Sequence, residues 1–134
     1  MAIKKVMLID DDASIRRIGE ICLSKVGKWE VVLCHSATHA LEIVESEQPD
    51  VILLDVMMPH LDGITAFPDL QKKTKRAVPI IFMTAKVMKH ETGRYTDLGA
   101  AGVISKPFEP ISLPAEIKSI VAEYEQRLSR TVCA

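Results

Sequence analysis

The stretch Val51-Ile52-Leu53-Leu54-Asp55 decides the fold, because four apolar residues in a row end on one carboxylate. Such a run is short for a helix, and it lacks the alternation of a half-exposed strand. Continuous apolar strands are typical of parallel sheets whose two faces are both covered by helices. The sequence therefore predicts a central strand of an α/β domain, with a carboxylate at its end.

Outward from this strand, short apolar runs alternate with segments whose apolar residues recur every three or four positions. The runs predict four further strands, at 6–9, 30–34, 80–83 and 102–105. The periodic segments predict helices near 14–26, 38–47, 64–73, 87–98 and 113–128. This alternation indicates βα units around a parallel sheet. The predicted fold is one doubly wound α/β domain with five parallel strands and five flanking helices.

Local signals refine the helices. The buried face of the first helix is predicted from apolar spacings of three and four, at Ile15, Ile18, Cys22 and Val26. Asp12 and Asp62 precede helices and are expected to be caps or turn formers. Pro68 falls inside the third helix, which it should kink or shorten. The residues 129–134 are predicted to fray, so the domain is assigned to 1–128.

Length and composition limit the classes of function. A chain of 134 residues is the size of one domain, and a net charge of -1 gives no basic field for phosphate backbones. We therefore expect protein partners or small ions, and no direct binding of nucleic acid. No apolar stretch approaches the ~18 residues of a membrane span, so no membrane association is expected. The cysteine spacing is neither paired nor metal-like, which is typical of a reducing cytoplasm.

Polar residues follow four of the five predicted strands. Asp10 and Asp11 follow the first strand, Asp55 ends the third, Thr84 the fourth and Lys106 the fifth. In open α/β sheets the ligand site lies at the carboxyl ends of the strands, so these side chains are expected to meet at one edge. Each alone is weak evidence, because such residues are common in turns. Their joint placement predicts a functional site.

Three carboxylates at one edge imply a cation. Each pair would repel by ~4 kcal/mol at about 4 Å with an effective dielectric near 20. Oxygen ligands favour hard ions, and a site with few carboxylates suits Mg²⁺ better than Ca²⁺. Beside such an ion, Asp55 is predicted to attack phosphorus as a nucleophile, while Lys106 and Thr84 contact the phosphoryl oxygens.

Four motifs at these strand ends resemble those of bacterial two-component response-regulator receiver domains. They are Ile9-Asp10-Asp11-Asp12, Leu53-Leu54-Asp55 with the residues that follow to Gly63, Met83-Thr84-Ala85 and Ser105-Lys106-Pro107-Phe108. Their order and separations match that family, and the resemblance covers about 4–124. The chain is similar to stand-alone receivers of the chemotaxis-regulator type.

The resemblance implies a flavodoxin-like fold with strand order 2-1-3-4-5 and a role in a phosphorelay. Asp55 would accept the phosphoryl group from the phosphohistidine of a sensor histidine kinase or a phosphotransfer protein. Mg²⁺ would be bound by Asp11 and Asp55, with Asp10 helping through water and the Met57 backbone carbonyl as a further ligand. Such a domain is not an enzyme, although it assists its own phosphoryl transfer and slow dephosphorylation.

The resemblance also implies that output passes through helix four, strand five and helix five, in a monomer or a phosphorylation-dependent dimer. Two features depart from the family pattern. Val103 follows Gly102 where many receivers carry an aromatic, so it is predicted to be a packed strand residue and not a signalling rotor. Met57 and Lys86 stand where phosphoryl lifetime is tuned, and because Met57 cannot orient water, we expect slow self-dephosphorylation.

Three other functions stay open at this point. A phosphohydrolase of the haloacid-dehalogenase type needs a carboxylate two residues after its nucleophile, where Met57 stands. A flavodoxin-like electron carrier needs a hydroxyl- and glycine-rich loop after the first strand, where Asp10 and Asp11 would repel the flavin phosphate. A receiver that no longer takes phosphate would act as a scaffold, although all five expected site residues are present.

Overall fold

The computed structural model describes residues 3–58, 61–74, 78–85, 89–106 and 108–133. Its strands are β1 (Lys5–Ile9), β2 (Glu30–Cys34), β3 (Val51–Asp55), β4 (Ile80–Thr84) and β5 (Gly102–Ser105). They form one parallel sheet in the order β2-β1-β3-β4-β5. The predicted α/β fold and strand order are confirmed, and Val51–Asp55 is the central strand.

Five α-helices flank the sheet. They are α1 (Ala13–Ile21), α2 (Ala37–Glu47), α3 (Gly63–Lys73), α4 (Lys89–Asp97) and α5 (Leu113–Cys133). Asp12 and Asp62 cap α1 and α3 as predicted, because their carboxylates accept from the backbone N–H groups of Ser14 and Thr65 at 2.8 and 2.7 Å. Within the described ranges, no helix combines the length and the apolar character that a bilayer crossing requires.

The sheet separates two apolar layers. Strand side chains alternate between them, as the pleat of a strand requires. Met7, Ile9, Ile52 and Leu54 belong to one layer, and Val6, Leu8, Val51 and Leu53 to the other. β3 is buried along its whole length, and full burial of each Leu or Ile stabilises by about 1.5–3 kcal/mol. The strand that ends in Asp55 is therefore anchored on both faces.

The first helix departs from its prediction. After α1 the chain continues as a π-helix over Cys22–Val26. Ile18 and Val26, which were expected to be buried, are 43% and 49% exposed. Gly19 packs so closely on Leu8 that a Cβ atom would collide with it. That close approach turns Ile18 outward, and a π turn contains more residues than an α turn, so regular helical spacing does not identify the buried face here.

Pro68 does not shorten the third helix. α3 runs unbroken across the exposed Pro68 over nearly the predicted limits, so of the predicted kink or shortening the shortening is absent. The proline lacks the N–H that the Ile64 carbonyl would accept from, but a carbonyl on the solvent side of a helix can bond to water instead. α5 extends to Cys133, beyond the predicted helix end at Leu128, and fraying of the tail stays a prediction.

Candidate functional site

The parallel register brings three carboxylates to the carboxyl edge of the sheet. β1 and β3 are neighbours with Ile9 opposite Leu54, so Asp10 and Asp55 follow on adjacent strands. Asp10, Asp11 and Asp55 each place a carboxylate oxygen within 4.8 Å of the other two. Asp10 and Asp55 are buried, whereas Asp11 is exposed. The acids at the strand ends form one cluster that opens to solvent at Asp11.

Lys106 contacts two of these carboxylates. Its Nζ atom lies 2.8 Å from Asp10 Oδ2 and 3.5 Å from Asp55 Oδ2. Burial alone would lower the pKa of Lys106, but the hydrogen bond to Asp10 and the charges of both carboxylates outweigh burial and raise it. The Lys106 backbone N–H donates to the Thr84 carbonyl at 2.9 Å, which ties the ends of β4 and β5 together. A charged ammonium is therefore fixed beside the cluster.

The carboxyl group of Asp55 is harder to ionise than an ordinary aspartate. Burial raises its pKa most and the charge of Asp10 adds to this, while Lys106 and the Met57 N–H offset part of the rise, leaving a pKa of about 6. The group is still mostly ionised at neutral pH. The cluster holds three carboxylates and one contacting ammonium, and this excess of negative charge favours binding of a further cation.

Both the carboxylate and the main chain of Asp10 make hydrogen bonds. Its Oδ1 atom accepts from the Asp12 N–H at 2.9 Å, and its Oδ2 atom accepts from Lys106. Its backbone N–H donates to Cys34 at 3.1 Å, and its carbonyl accepts from the Arg16 guanidinium at 2.7 Å. The contact of Arg16 could not be predicted from strand ends, because Arg16 lies inside α1.

Thr84 and Met57 lie around Asp55. Asp55 pairs with Met83 between β3 and β4, so the buried Thr84 stands one residue further along the neighbouring strand. The Met57 N–H donates to Asp55 Oδ1 at 3.3 Å, while the Met57 side chain is 78% exposed. A groove of about 500 Å³ next to this loop is lined by Val56, Met57, Met58, Asp62 and Ile64. The surface of the loop that follows Asp55 is thus mainly apolar.

Gly63 determines how the loop after Asp55 can close. Its N–H donates to the Val56 carbonyl at 3.1 Å, and a Cβ atom at this position would collide with the backbone carbonyl of Asp55. The first turn of α3 therefore packs directly on the main chain of Asp55. The sequence indicated a turn at Asp62-Gly63, but this close approach became evident only from the structure.

The donor set fits a hard divalent cation. Both Asp10 carboxylate oxygens already accept hydrogen bonds, whereas Asp11 is exposed and Asp55 carries charge that Lys106 only partly neutralises. Together with a backbone carbonyl such as that of Met57, these are all-oxygen ligands of the kind Mg²⁺ prefers. Among the residues that the structure describes, this is the one cluster of three potential metal-binding groups.

Val103 is half-buried and packs against the apolar layer that contains Phe82 and Tyr95. The prediction of a packed strand residue is confirmed. The positions Lys86, Pro59 and Pro107, which belong to the quoted motifs or to the lifetime argument, lie outside the described residues.

A family model for the response regulator receiver domain matches residues 6–118. Among curated relatives, the probable transcriptional regulator ycf27 of Cyanophora paradoxa is 42% identical over 124 residues, which cover 91% of this chain and 50% of that protein. The alkaline phosphatase synthesis transcriptional regulatory protein PhoP of Bacillus subtilis is 35% identical over 122 residues, covering 91% and 50%. The chain thus spans about half the length of the curated relatives it matches.

Among solved structures, the fold is similar to that of response regulators. The Vibrio cholerae chemotaxis protein CheY4 superimposes with a TM-score of 0.79 at 28% identity, covering 89% of this chain and 99% of that one. Receiver domains bind Mg²⁺ at an acidic pocket and act as signalling domains, not as enzymes in the usual sense. On its matched sequence, its sheet order and its acidic cluster, this chain belongs to the response-regulator receiver domains, the family whose general function is phosphoryl acceptance in two-component signalling.

Proposed function

We propose that this chain accepts a phosphoryl group on Asp55 from a phosphohistidine and signals through changed protein contacts. One observation carries the proposal. Asp55 is a buried carboxylate at the end of a fully buried strand, it shares one cluster with the Asp10 and Asp11 carboxylates, and the Lys106 ammonium contacts both Asp55 and Asp10. Phosphoryl transfer needs mainly positioning and neutralisation of charge, and this arrangement is suited to both.

Each site residue has a distinct part in the proposed reaction. An Asp55 carboxylate oxygen forms a bond to phosphorus while the P–N bond of the phosphohistidine breaks and its electron pair stays on the imidazole. Lys106 contacts the phosphoryl oxygens and turns towards Asp55 from its hydrogen bond with Asp10, and the Thr84 hydroxyl binds one phosphoryl oxygen. Asp11, Asp55 and the Met57 carbonyl would hold Mg²⁺, which when bound neutralises charge on the phosphoryl oxygens.

The alternatives are less compatible with the site. An aspartyl-phosphate hydrolase would need an acid or base two residues after Asp55, and Met57 supplies neither. A flavin phosphate would have to approach Asp10 and Asp11, whose charges repel it. A scaffold that does not take phosphate would not require a buried Asp55 whose charge Lys106 only partly neutralises and whose burial raises its pKa.

A phosphodonor protein would have to contact the surface next to the site. Ile18, Ile21, Val26 and Ile111 are exposed together around a groove of about 300 Å³, and we call these four residues the α1 surface. α1 begins directly after the acidic cluster, and Ile111 follows Lys106 by five residues. We propose that the donor docks on the α1 surface, because both of its segments are continuous with the site.

The downstream contact is proposed for α4, β5 and α5. On this face the Arg127 guanidinium donates to the Ala101 carbonyl at 2.8 Å and stacks over the Tyr124 ring, so the groove between α4 and α5 is pre-formed. The names of the relatives indicate transcriptional regulation for those proteins, and a transcriptional output for this chain is a proposal only.

Labelling with a small phosphodonor tests the proposed function. Incubation with acetyl phosphate and Mg²⁺ should give one base-labile, hydroxylamine-labile phosphoryl group per chain, and Asp55→Asn should give none. Repeated turnover of a phosphomonoester would favour the hydrolase instead. For docking, Ile18→Asp should slow transfer from a phosphorylated histidine-phosphotransfer protein without slowing labelling by acetyl phosphate. Leu128→Asp, on the other face, serves as the matched control.

A further inference from the structure

Arg16 reaches from α1 back to the main chain of the acidic cluster. Its Nη1 atom donates to the carbonyl oxygen of Asp10 at 2.7 Å, although the two residues are six positions apart. Its own backbone N–H donates to the Asp12 carbonyl at 3.1 Å in the first turn of the helix. The side chain is partly buried, so it is held over the segment that connects β1 to α1.

The carbonyl that Arg16 binds belongs to the peptide between Asp10 and Asp11. Because a peptide unit is planar, a fixed carbonyl fixes the plane of the peptide and so the direction in which the Asp11 side chain extends from the backbone. The Asp11 carboxylate belongs to the cluster, but among the described residues it makes no hydrogen bond or ion pair. The placement of Asp11 therefore depends on its backbone.

We propose that Arg16 is a positioning residue for the divalent-cation site, which it serves by orienting the Asp10–Asp11 peptide so that the Asp11 carboxylate faces Asp55. The inference rests on the proposed function, because it concerns the cation that assists phosphoryl acceptance. Arg16 itself contacts neither the phosphoryl group nor the cation in this proposal. Groups that orient metal ligands in this way commonly change metal affinity by about 10- to 100-fold when they are removed.

The two possible roles of Arg16, as a positive charge and as a positioning residue, predict opposite changes in Mg²⁺ affinity when Arg16 is removed. If the guanidinium acted only as a positive charge, its removal would relieve repulsion of Mg²⁺ and tighten binding, by about twofold for a screened charge near 10 Å. If it positions Asp11, its removal weakens binding. The direction of the change in Mg²⁺ affinity therefore separates the two roles.

The experiment is a Mg²⁺ titration followed by amide NMR on the full chain. Arg16→Met removes the charge and the donor but keeps a good helix former, and Arg16→Lys keeps the charge and one donor. Arg17→Met is the matched control, since Arg17 is the adjacent, exposed arginine of the same helix. Arg16→Gln is a second neutral variant, for use if Arg16→Met does not fold.

We expect Arg16→Met to bind Mg²⁺ about tenfold more weakly, Arg16→Lys to recover part of the loss, and Arg17→Met to stay within about twofold of the parent chain. Without Mg²⁺, the Asp11 and Asp12 amide resonances should shift in Arg16→Met. Labelling by acetyl phosphate at saturating Mg²⁺ should be nearly unchanged, because the loss lies in affinity and not in the reaction.

Equal or tighter Mg²⁺ binding by Arg16→Met and Arg16→Gln would overturn the inference. So would weaker binding by Arg17→Met of the same size, because that would assign the effect to a general disturbance of α1 and not to the contact between Arg16 and Asp10. A parent chain that showed neither Mg²⁺-dependent shifts at the cluster nor labelling would contradict the proposed function itself. The two failures are therefore distinguishable.

Discussion

Replacement of Asp55 by Asn should stabilise the Mg²⁺-free protein at neutral pH, although it removes the proposed acceptor. In the folded chain burial and the charge of Asp10 raise the Asp55 pKa from 3.8 to about 6. That difference corresponds to about 3 kcal/mol by which the ionised carboxylate disfavours folding at pH 7.5. An Asn side chain keeps an acceptor for the Met57 N–H and leaves Lys106 paired with Asp10. Because the amide must also be desolvated, the net gain is about 2 kcal/mol.

The pH dependence has a defined sign. A carboxyl group with a raised pKa in the folded state stabilises fully below its unfolded value of 3.8, and this contribution is lost as the pH rises through about 6. The advantage of Asp55→Asn over the parent chain should therefore be small at pH 4, grow between pH 4 and pH 6, and level off above pH 7.

Urea unfolding of both chains in EDTA at several pH values measures this difference. For a chain of this size, a gain of about 2 kcal/mol also predicts a melting temperature higher by about 7 °C at pH 7.5, measured by thermal unfolding. Addition of Mg²⁺ should narrow the gap, since a ligand that binds the folded parent chain stabilises it. An Asp55→Asn chain that was no more stable at pH 7.5, or whose advantage did not change with pH, would show that the buried charge is not a cost to folding.

Three further substitutions test other parts of the site. Lys106→Met leaves the fully buried Asp10 carboxylate without its ammonium partner and should lower the free energy of unfolding by about 3 kcal/mol at pH 7.5, measured in urea; an unchanged midpoint would contradict the pairing. Gly63→Ala places a methyl group against the Asp55 carbonyl and should destabilise by more than about 1 kcal/mol while shifting the amide resonances after β3; wild-type spectra would refute the close approach. Met57→Asn introduces a side chain that can orient water and should shorten the lifetime of the phosphorylated protein, followed by loss of label after removal of acetyl phosphate; an unchanged lifetime would remove Met57 as its cause.

The fold was predictable because each strand is a short apolar run that a polar residue ends. Asp12 and Asp62 stop the preceding segments and cap α1 and α3, so local and global signals agree. The position of Asp10, Asp11 and Asp55 at strand ends predicts that they lie together at one edge of the sheet. Parallel register makes such a prediction possible, since equivalent strand ends must meet at one edge.

The remaining features depend on distances that no spacing in the sequence encodes. Whether Lys106 contacts Asp10 or Asp55 more closely depends on differences of less than one ångström at the end of β5. The exposure of Ile18 follows from the close packing of Gly19 on β1, which spacing of apolar residues does not report. The Arg16 contact was equally invisible, because a long side chain inside a helix can reach several partners.

The position of Lys106 suggests how acceptance on Asp55 would be converted into a change of surface. In the structure its ammonium lies 0.7 Å closer to Asp10 than to Asp55, at 2.8 against 3.5 Å. A phosphoryl group adds negative charge on the Asp55 side, and this shifts the balance of attraction on Lys106 towards it. Because the Lys106 N–H is bonded to the Thr84 carbonyl, any such movement acts on the ends of both β4 and β5. Val103 is a packed aliphatic residue and not an aromatic rotor, so the change would have to pass through the loops that lead into α4 and α5.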